Sequence, residues 1–141
     1  MKNNVIFICI HNSARSQMAE AYLKHFAGER FNVWSAGLEP GSLNPVVVEV
    51  MAEEGIDISS NTCNSVNEFT DGRIAFDYVV TVCDETAAEA CPYFPGQGTR
   101  LHWGLPDPSS LTGSKEDKLK TTREIRDSIK AKVKDFISRP G

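Results

Sequence analysis

No apolar stretch in this 141-residue chain approaches the roughly 20 residues that a membrane-spanning helix requires. Met1-Lys2-Asn3-Asn4 lead into an apolar run of only about six residues, short of the apolar region of a secretory signal, so export is not expected and the cytoplasm is the expected compartment. Internal repeats, linkers and low-complexity segments are absent. No group of His and Cys has the spacing of a zinc site, and neither a required metal nor another cofactor is expected. A broad basic face is missing too. Net charge is -4, yet residues 115–139 hold nine basic and five acidic residues, which leaves residues 1–114 with six basic against fourteen acidic. An acidic body of this kind argues against a nucleic-acid partner, and the basic tail reads as a solvated helix face. An anion ligand would have to be held by a local pocket.

What is present fits one ordinary domain spanning residues 1–141, with 40% hydrophobic and 24% charged residues and enough chain to bury a core without staples. Its four cysteines, in a reducing compartment, read as catalytic or redox thiols rather than as a disulfide framework. A monomer is expected.

Residues 5–10 are continuously apolar and β-rich, as expected of a strand buried on both faces of a parallel sheet. From Ser16, the residues Met18, Ala19, Tyr22, Leu23 and Phe26 recur at helical spacing, with Glu20 and Lys24 paired four apart. Residues 31–36 read as a second strand ended by Gly37. Asn44 as cap, Pro45 at the first helical position and Gly55 past the last turn bracket a helix containing Val47, Val50 and Met51. Residues 77–82 read as a third buried strand and 99–103 as a shorter fourth, with good helix formers between them at 84–90. A long amphipathic helix over 115–138 closes the chain, turning Thr122, Ile125, Ile129, Val133, Phe136 and Ile137 inward. Strands alternating with helices predict an α/β fold: a four-stranded parallel sheet flanked by helices on both faces. In such sheets ligands sit beyond the carboxyl ends of the strands, where Cys9, Cys83 and the Asp107 loop should lie.

Cys9-Ile10-His11-Asn12-Ser13-Ala14-Arg15-Ser16 joins the first strand to the first helix. Consecutive backbone amides of such a loop, with the helix's unpaired first N–H groups, converge on one small volume and cradle a tetrahedral oxyanion. Ile10, His11, Asn12, Ser13, Ala14 and Ser16 would supply the cradle, and Arg15 a planar fork of donors. The same positive field favours the thiolate of Cys9. Ser16 is expected to cap the helix while donating to the sulfur. His11 is expected to contribute backbone only. Chemistry alone reaches an oxyanion-handling thiol enzyme, with a phosphomonoester hydrolase and a non-catalytic anion sensor as the other readings.

Cys9-Ile10-His11-Asn12-Ser13-Ala14-Arg15-Ser16-Gln17-Met18-Ala19-Glu20-Ala21 resembles the signature of thioredoxin-coupled arsenate reductases, which share the low-molecular-weight tyrosine phosphatase fold. The resemblance continues through Trp34-Ser35-Ala36-Gly37, Val80-Thr81-Val82-Cys83-Asp84, Cys91-Pro92 and His102-Trp103-Gly104-Leu105-Pro106-Asp107-Pro108, nearly the whole chain. It implies arsenate as substrate, thioredoxin or a similar thiol as reductant, and a relay of three cysteines. Cys9 attacks arsenic, Cys83 attacks Cys9 and expels arsenite, and Cys91 attacks Cys83 to leave a disulfide. Asp107 resembles the family's general acid. Ser109-Ser110 stand where phosphatase relatives carry an aromatic residue, a departure that weakens the phosphatase reading. Cys63 matches no catalytic position. Some members bind an alkali cation at positions matching Asn12, Glu20, Ser35 and Asn64, the last of which is a carboxylate in those members. Were residues 84–90 helical, the Cα atoms of Cys83 and Cys91 would be about 12 Å apart, against the ~4.4–6.8 Å of a disulfide, so oxidation should unwind that segment.

Overall fold

Four strands line up in parallel in the order β2-β1-β3-β4: β1 (Asn3–Cys9), β2 (Phe31–Gly37), β3 (Tyr78–Thr81) and β4 (Thr99–His102). The architecture comes from a computed structural model that describes residues 3–9, 14–39, 41–70, 73–82, 98–105, 108 and 111–138. The helices are α1 (Arg15–Ala27), α2 (Pro45–Ala52) and α3 (Lys115–Ser138), with one turn of 3-10 helix at Val66–Phe69. The proposed helical run at 84–90 lies outside the described residues.

Alternation along β1 divides the core. Val5, Phe7 and Cys9 face the three α-helices, packing with Met18, Leu23, Met51, Ile129 and Val133. Ile6 and Ile8 face the other way, onto Ala36, Val66, Val79 and a cluster of Trp34, Phe69 and Phe76. Both faces are therefore covered by helix, though unequally: three α-helices on one and, among the described residues, the 3-10 turn on the other. That turn went unread in the sequence although Ser65-Val66-Asn67-Glu68 carries its signal. The Ser65 hydroxyl accepts from the Asn67 amide, and the Glu68 carboxylate accepts from the Ser65 amide in a reciprocal cap.

Local punctuation sets α2. The Asn44 side chain accepts from the Val46 amide at 2.9 Å, Pro45 opens the helix, and Gly55 takes the positive φ of 76° past its end. Of the α1 face, Met18, Ala19, Tyr22 and Leu23 are buried, but Phe26 is 36% exposed and stacks on Tyr22 instead of entering the core. On α3 the expected inward residues are buried except Ile137, which packs at the core's margin.

The basic tail is not simply solvated. Arg123 and Arg126 both reach Glu53, Lys130 reaches Glu54, and Lys115 lies 3.6 Å from Glu49, so α3 is bound to α2 by opposite charge. Arg126 is itself buried and donates to the Val50 carbonyl at 3.0 Å, closing the C-terminal end of α2. Glu54 also accepts from the Tyr22 hydroxyl, whose ionisation burial and then the Glu54 charge push well up, so it stays a donor. The Lys130 hydrogen bond holds the Glu54 carboxyl below its ordinary range. A depressed carboxyl stabilises the fold above the unfolded value and loses that effect as pH falls through its folded value. Glu54→Gln should therefore be less stable than the parent at neutral pH, with the gap closing below about pH 4.5; urea midpoints measured across that range check it, and a gap independent of pH would contradict it.

The Thr122 hydroxyl, on a residue with no exposed surface, has no hydrogen-bond partner among the described residues. Valine has nearly the same shape and helix propensity. Thr122→Val should stabilise the protein by about 1 kcal/mol and raise Tm by ~3 °C, read by calorimetry.

Candidate functional site

β1 lies between β2 and β3, so the chain leaves its carboxyl end at the point where strand order reverses, the usual ligand crevice of open parallel sheets. Cys9 is the last residue of β1, pairs with Gly37 of β2 and is 2% exposed. Its carbonyl accepts from the Leu38 amide at 3.2 Å. After residues 10–13, which lie outside the described residues, α1 starts at Arg15.

The first turn of α1 comes straight back onto the sulfur. Ser16 Oγ lies 2.9 Å from Cys9 Sγ, both buried, close enough for a hydroxyl hydrogen bond to a thiolate. Ser16 is not the helix cap, contrary to the expectation: the cap position is Ala14, with φ -143° and ψ -84°, whose methyl makes no cap bond. The hydroxyl is committed to the sulfur because the helix begins one residue earlier than its apolar pattern suggests. Arg15 is 2% exposed, and its Nη1 donates to the Leu105 carbonyl at 3.0 Å. That bond ties the guanidinium to the start of the segment that carries Asp107.

The structure thus brings together Cys9, Ala14, Arg15 and Ser16. Ile10, His11, Asn12, Ser13, Cys83, Cys91 and Asp107 lie outside the described residues. Their neighbours bear on them only through the chain. The Val82 amide donates to the Ile8 carbonyl at 2.9 Å, so the residue before Cys83 runs beside the residue before Cys9.

Two features of the surroundings were not read from the sequence. Gln17 is 1% exposed, and its Nε2 donates to the Thr62 carbonyl at 2.9 Å while its Oε1 accepts from Asn61 Nδ2 at 3.1 Å. Cys63, in the same segment, is half-buried; burial pushes its thiol up, with the charge of Cys9 adding to the effect. No local pattern announces either, because both depend on partners far away in the chain.

Of the positions matching an alkali-cation site, Asn12 lies outside the described residues, and Glu20, Ser35 and Asn64 are bonded to one another and to their neighbours. Glu20 accepts from the Ser35 hydroxyl on one carboxylate oxygen, while the Lys24 ammonium sits 2.6 Å from the other. Asn64 directs its NH₂ at the Ser35 carbonyl, 3.3 Å away, and its oxygen accepts from Thr62.

Against known proteins, residues 4–139 match the low molecular weight phosphotyrosine protein phosphatase family. An arsenate reductase of Shouchella clausii is 42% identical over 135 residues, covering 96% of this chain and 95% of that protein. Among solved structures, an arsenate reductase from Archaeoglobus fulgidus superposes with a TM-score of 0.78 at 29% identity, covering 96% of this chain and 99% of that one. A thioredoxin-dependent arsenate reductase from Corynebacterium glutamicum gives a TM-score of 0.63 at 30% identity, over 94% of this chain and 62% of that one.

Proposed function

Because the chain belongs to the low molecular weight phosphotyrosine protein phosphatase family, with arsenate reductases among its near relatives, we propose that it reduces arsenate to arsenite. The observation that carries the proposal is the buried Cys9 sulfur, 2.9 Å from the Ser16 hydroxyl in the first turn of α1, the turn that also carries the buried Arg15. Neutral ligands gain nothing from that arrangement, whereas a tetrahedral oxyanion meets helix amides, guanidinium and nucleophile at once.

The thiolate of Cys9 attacks arsenic, and hydroxide leaves as water with a proton from Asp107. Ser16 steadies the sulfur before attack; Arg15 takes up the anionic oxygens. Cys83 then attacks Cys9, the sulfur–arsenic electron pair passes to arsenic, and arsenite departs as pentavalent arsenic becomes trivalent. Cys91 attacks Cys83, frees Cys9, and leaves a Cys83–Cys91 disulfide. Two electrons from thioredoxin or a like dithiol restore both thiols. The role is arsenic detoxification in the cytoplasm by a one-domain enzyme spanning residues 1–141, with slow phosphomonoester hydrolysis through Cys9 as a side reaction. Lack of an aromatic residue after Pro108 fits that ranking, since Ser109 and Ser110 offer nothing to stack on a phenyl ring.

The test is a coupled assay of arsenate, thioredoxin, thioredoxin reductase and NADPH. Arsenate-dependent NADPH oxidation with one arsenite formed per NADPH is expected; hydrolysis of phosphate esters with no arsenite formed would replace the proposal by the phosphatase reading.

A further inference from the structure

The first turn of α1 carries Arg15 and Ser16, and its cap position is Ala14, whose methyl accepts no hydrogen bond. A helix terminus without a cap frays easily, and a displacement of even an ångström would take Ser16 away from Cys9. Among the described residues, two tertiary connections hold this turn in place: Arg15 to Leu105, and Gln17 to residues 61 and 62.

The second connection reaches further. The segment that receives Gln17 also grips the other wall of the site: Gly37 donates to the Asn64 carbonyl at 2.8 Å, and Gly37 pairs with both Cys9 and Ser65. Residues 61–65 therefore form a brace, bonded at one end to α1 beside Ser16 and at the other to the strand position opposite Cys9. We propose that Gln17 is a positioning residue for the reaction. It fixes the separation of Ser16 and Arg15 from the Cys9 sulfur by anchoring α1 to this brace.

Stability alone does not account for an amide here. Gln17 follows Ser16 and precedes the fully buried Met18, and an apolar side chain of the same length would fill its place. Neutral hydrogen bonds add only about 1 kcal/mol each after desolvation. Their larger effect in a buried position is to admit one geometry and reject others.

The inference rests on the arsenate-reducing reading for its kinetic readout but not for its chemical one. Gln17→Met keeps length and volume while removing both hydrogen bonds. Asn61→Ala removes one of them at a half-buried residue and tolerates the fold in case the first variant does not. Three quantities are measured for each: Tm, kcat and KM for arsenate, and the rate at which iodoacetamide alkylates Cys9, followed on the Cys9 peptide by mass spectrometry. For Gln17→Met, Cys9 alkylation slows about tenfold and kcat/KM falls roughly ten- to a hundredfold, with a small change in Tm. Asn61→Ala moves both in the same direction by less, and the double variant is no worse than Gln17→Met, because one contact is being removed twice. A folded Gln17→Met that alkylates at the parent rate overturns the proposal; if that variant does not fold, an unchanged rate in Asn61→Ala overturns it. A parent protein that makes no arsenite sinks the reductase reading instead, and the alkylation rates still decide on Gln17.

Discussion

Cys9→Ser abolishes arsenate reduction, lowering turnover by at least about 10⁴-fold while leaving Tm within a few degrees of the parent. Oxygen in place of sulfur fits the site, which is closed to solvent and already holds a hydroxyl 2.9 Å away. The chemistry does not survive the exchange. An alkoxide is not available at neutral pH beside these groups, and even an arsenate ester on serine offers the next thiol no sulfur to attack. Electrons reach arsenic only through a sulfur–arsenic bond whose sulfur goes on to form a disulfide. Phosphate-ester hydrolysis is lost in the same variant, because it too begins at Cys9. Cys63 supplies the control. It lies within the electrostatic reach of Cys9, so residual turnover in Cys9→Ser would implicate it as a substitute nucleophile. Cys63→Ser should keep parent turnover. Turnover above about one percent of the parent in Cys9→Ser, measured by arsenite formed, would remove Cys9 from the centre of the mechanism.

Where local chemistry decides, the sequence was readable. α2 follows its cap, its proline and its glycine, and α3 begins and ends where its apolar period does. Strand order could be anticipated only as parallel, since the apolar runs carry no register; β3 proved shorter than its run, ending at Thr81, although Val82 still bonds to β1. The contact of Ser16 with Cys9 was legible for the same reason: a strand end, a loop and a helix start are neighbours in sequence, so these two side chains had to be close. Contacts made across the fold were not. Arg126 reads as one more cation on a charged helix; besides the adjacent Asp127, the carbonyl of Val50 and the carboxylate of Glu53, more than seventy residues earlier, make its burial tolerable. Gln17 reads as a polar residue at the start of a helix; its partners at 61 and 62 follow no period. Polar burial is a property of pairs, and one member of a pair does not announce the other.

Cys83→Ser separates reduction from hydrolysis. Steady-state arsenate reduction should fall by at least about 10³-fold, while p-nitrophenyl phosphate hydrolysis stays within roughly twofold of the parent, because the first variant chemistry needs a second sulfur and the other needs only Cys9. Cys91→Ser stops the relay one step later: each chain should release about one arsenite and then stall as a Cys9–Cys83 disulfide. The Val82 amide donates to the Ile8 carbonyl, so the residue before Cys83 runs beside the residue before Cys9. Oxidation should then leave a mark on residues 84–91. If that segment is helical, as its composition suggests, its ends are about 12 Å apart and a disulfide would draw them to ~6 Å, so amide exchange across the segment should accelerate when the Cys83–Cys91 bridge forms. Equal protection in the oxidised and reduced proteins, or a Cys83→Ser variant that still turns over arsenate, would mean that the second electron donor lies elsewhere, with Cys63 the first to examine.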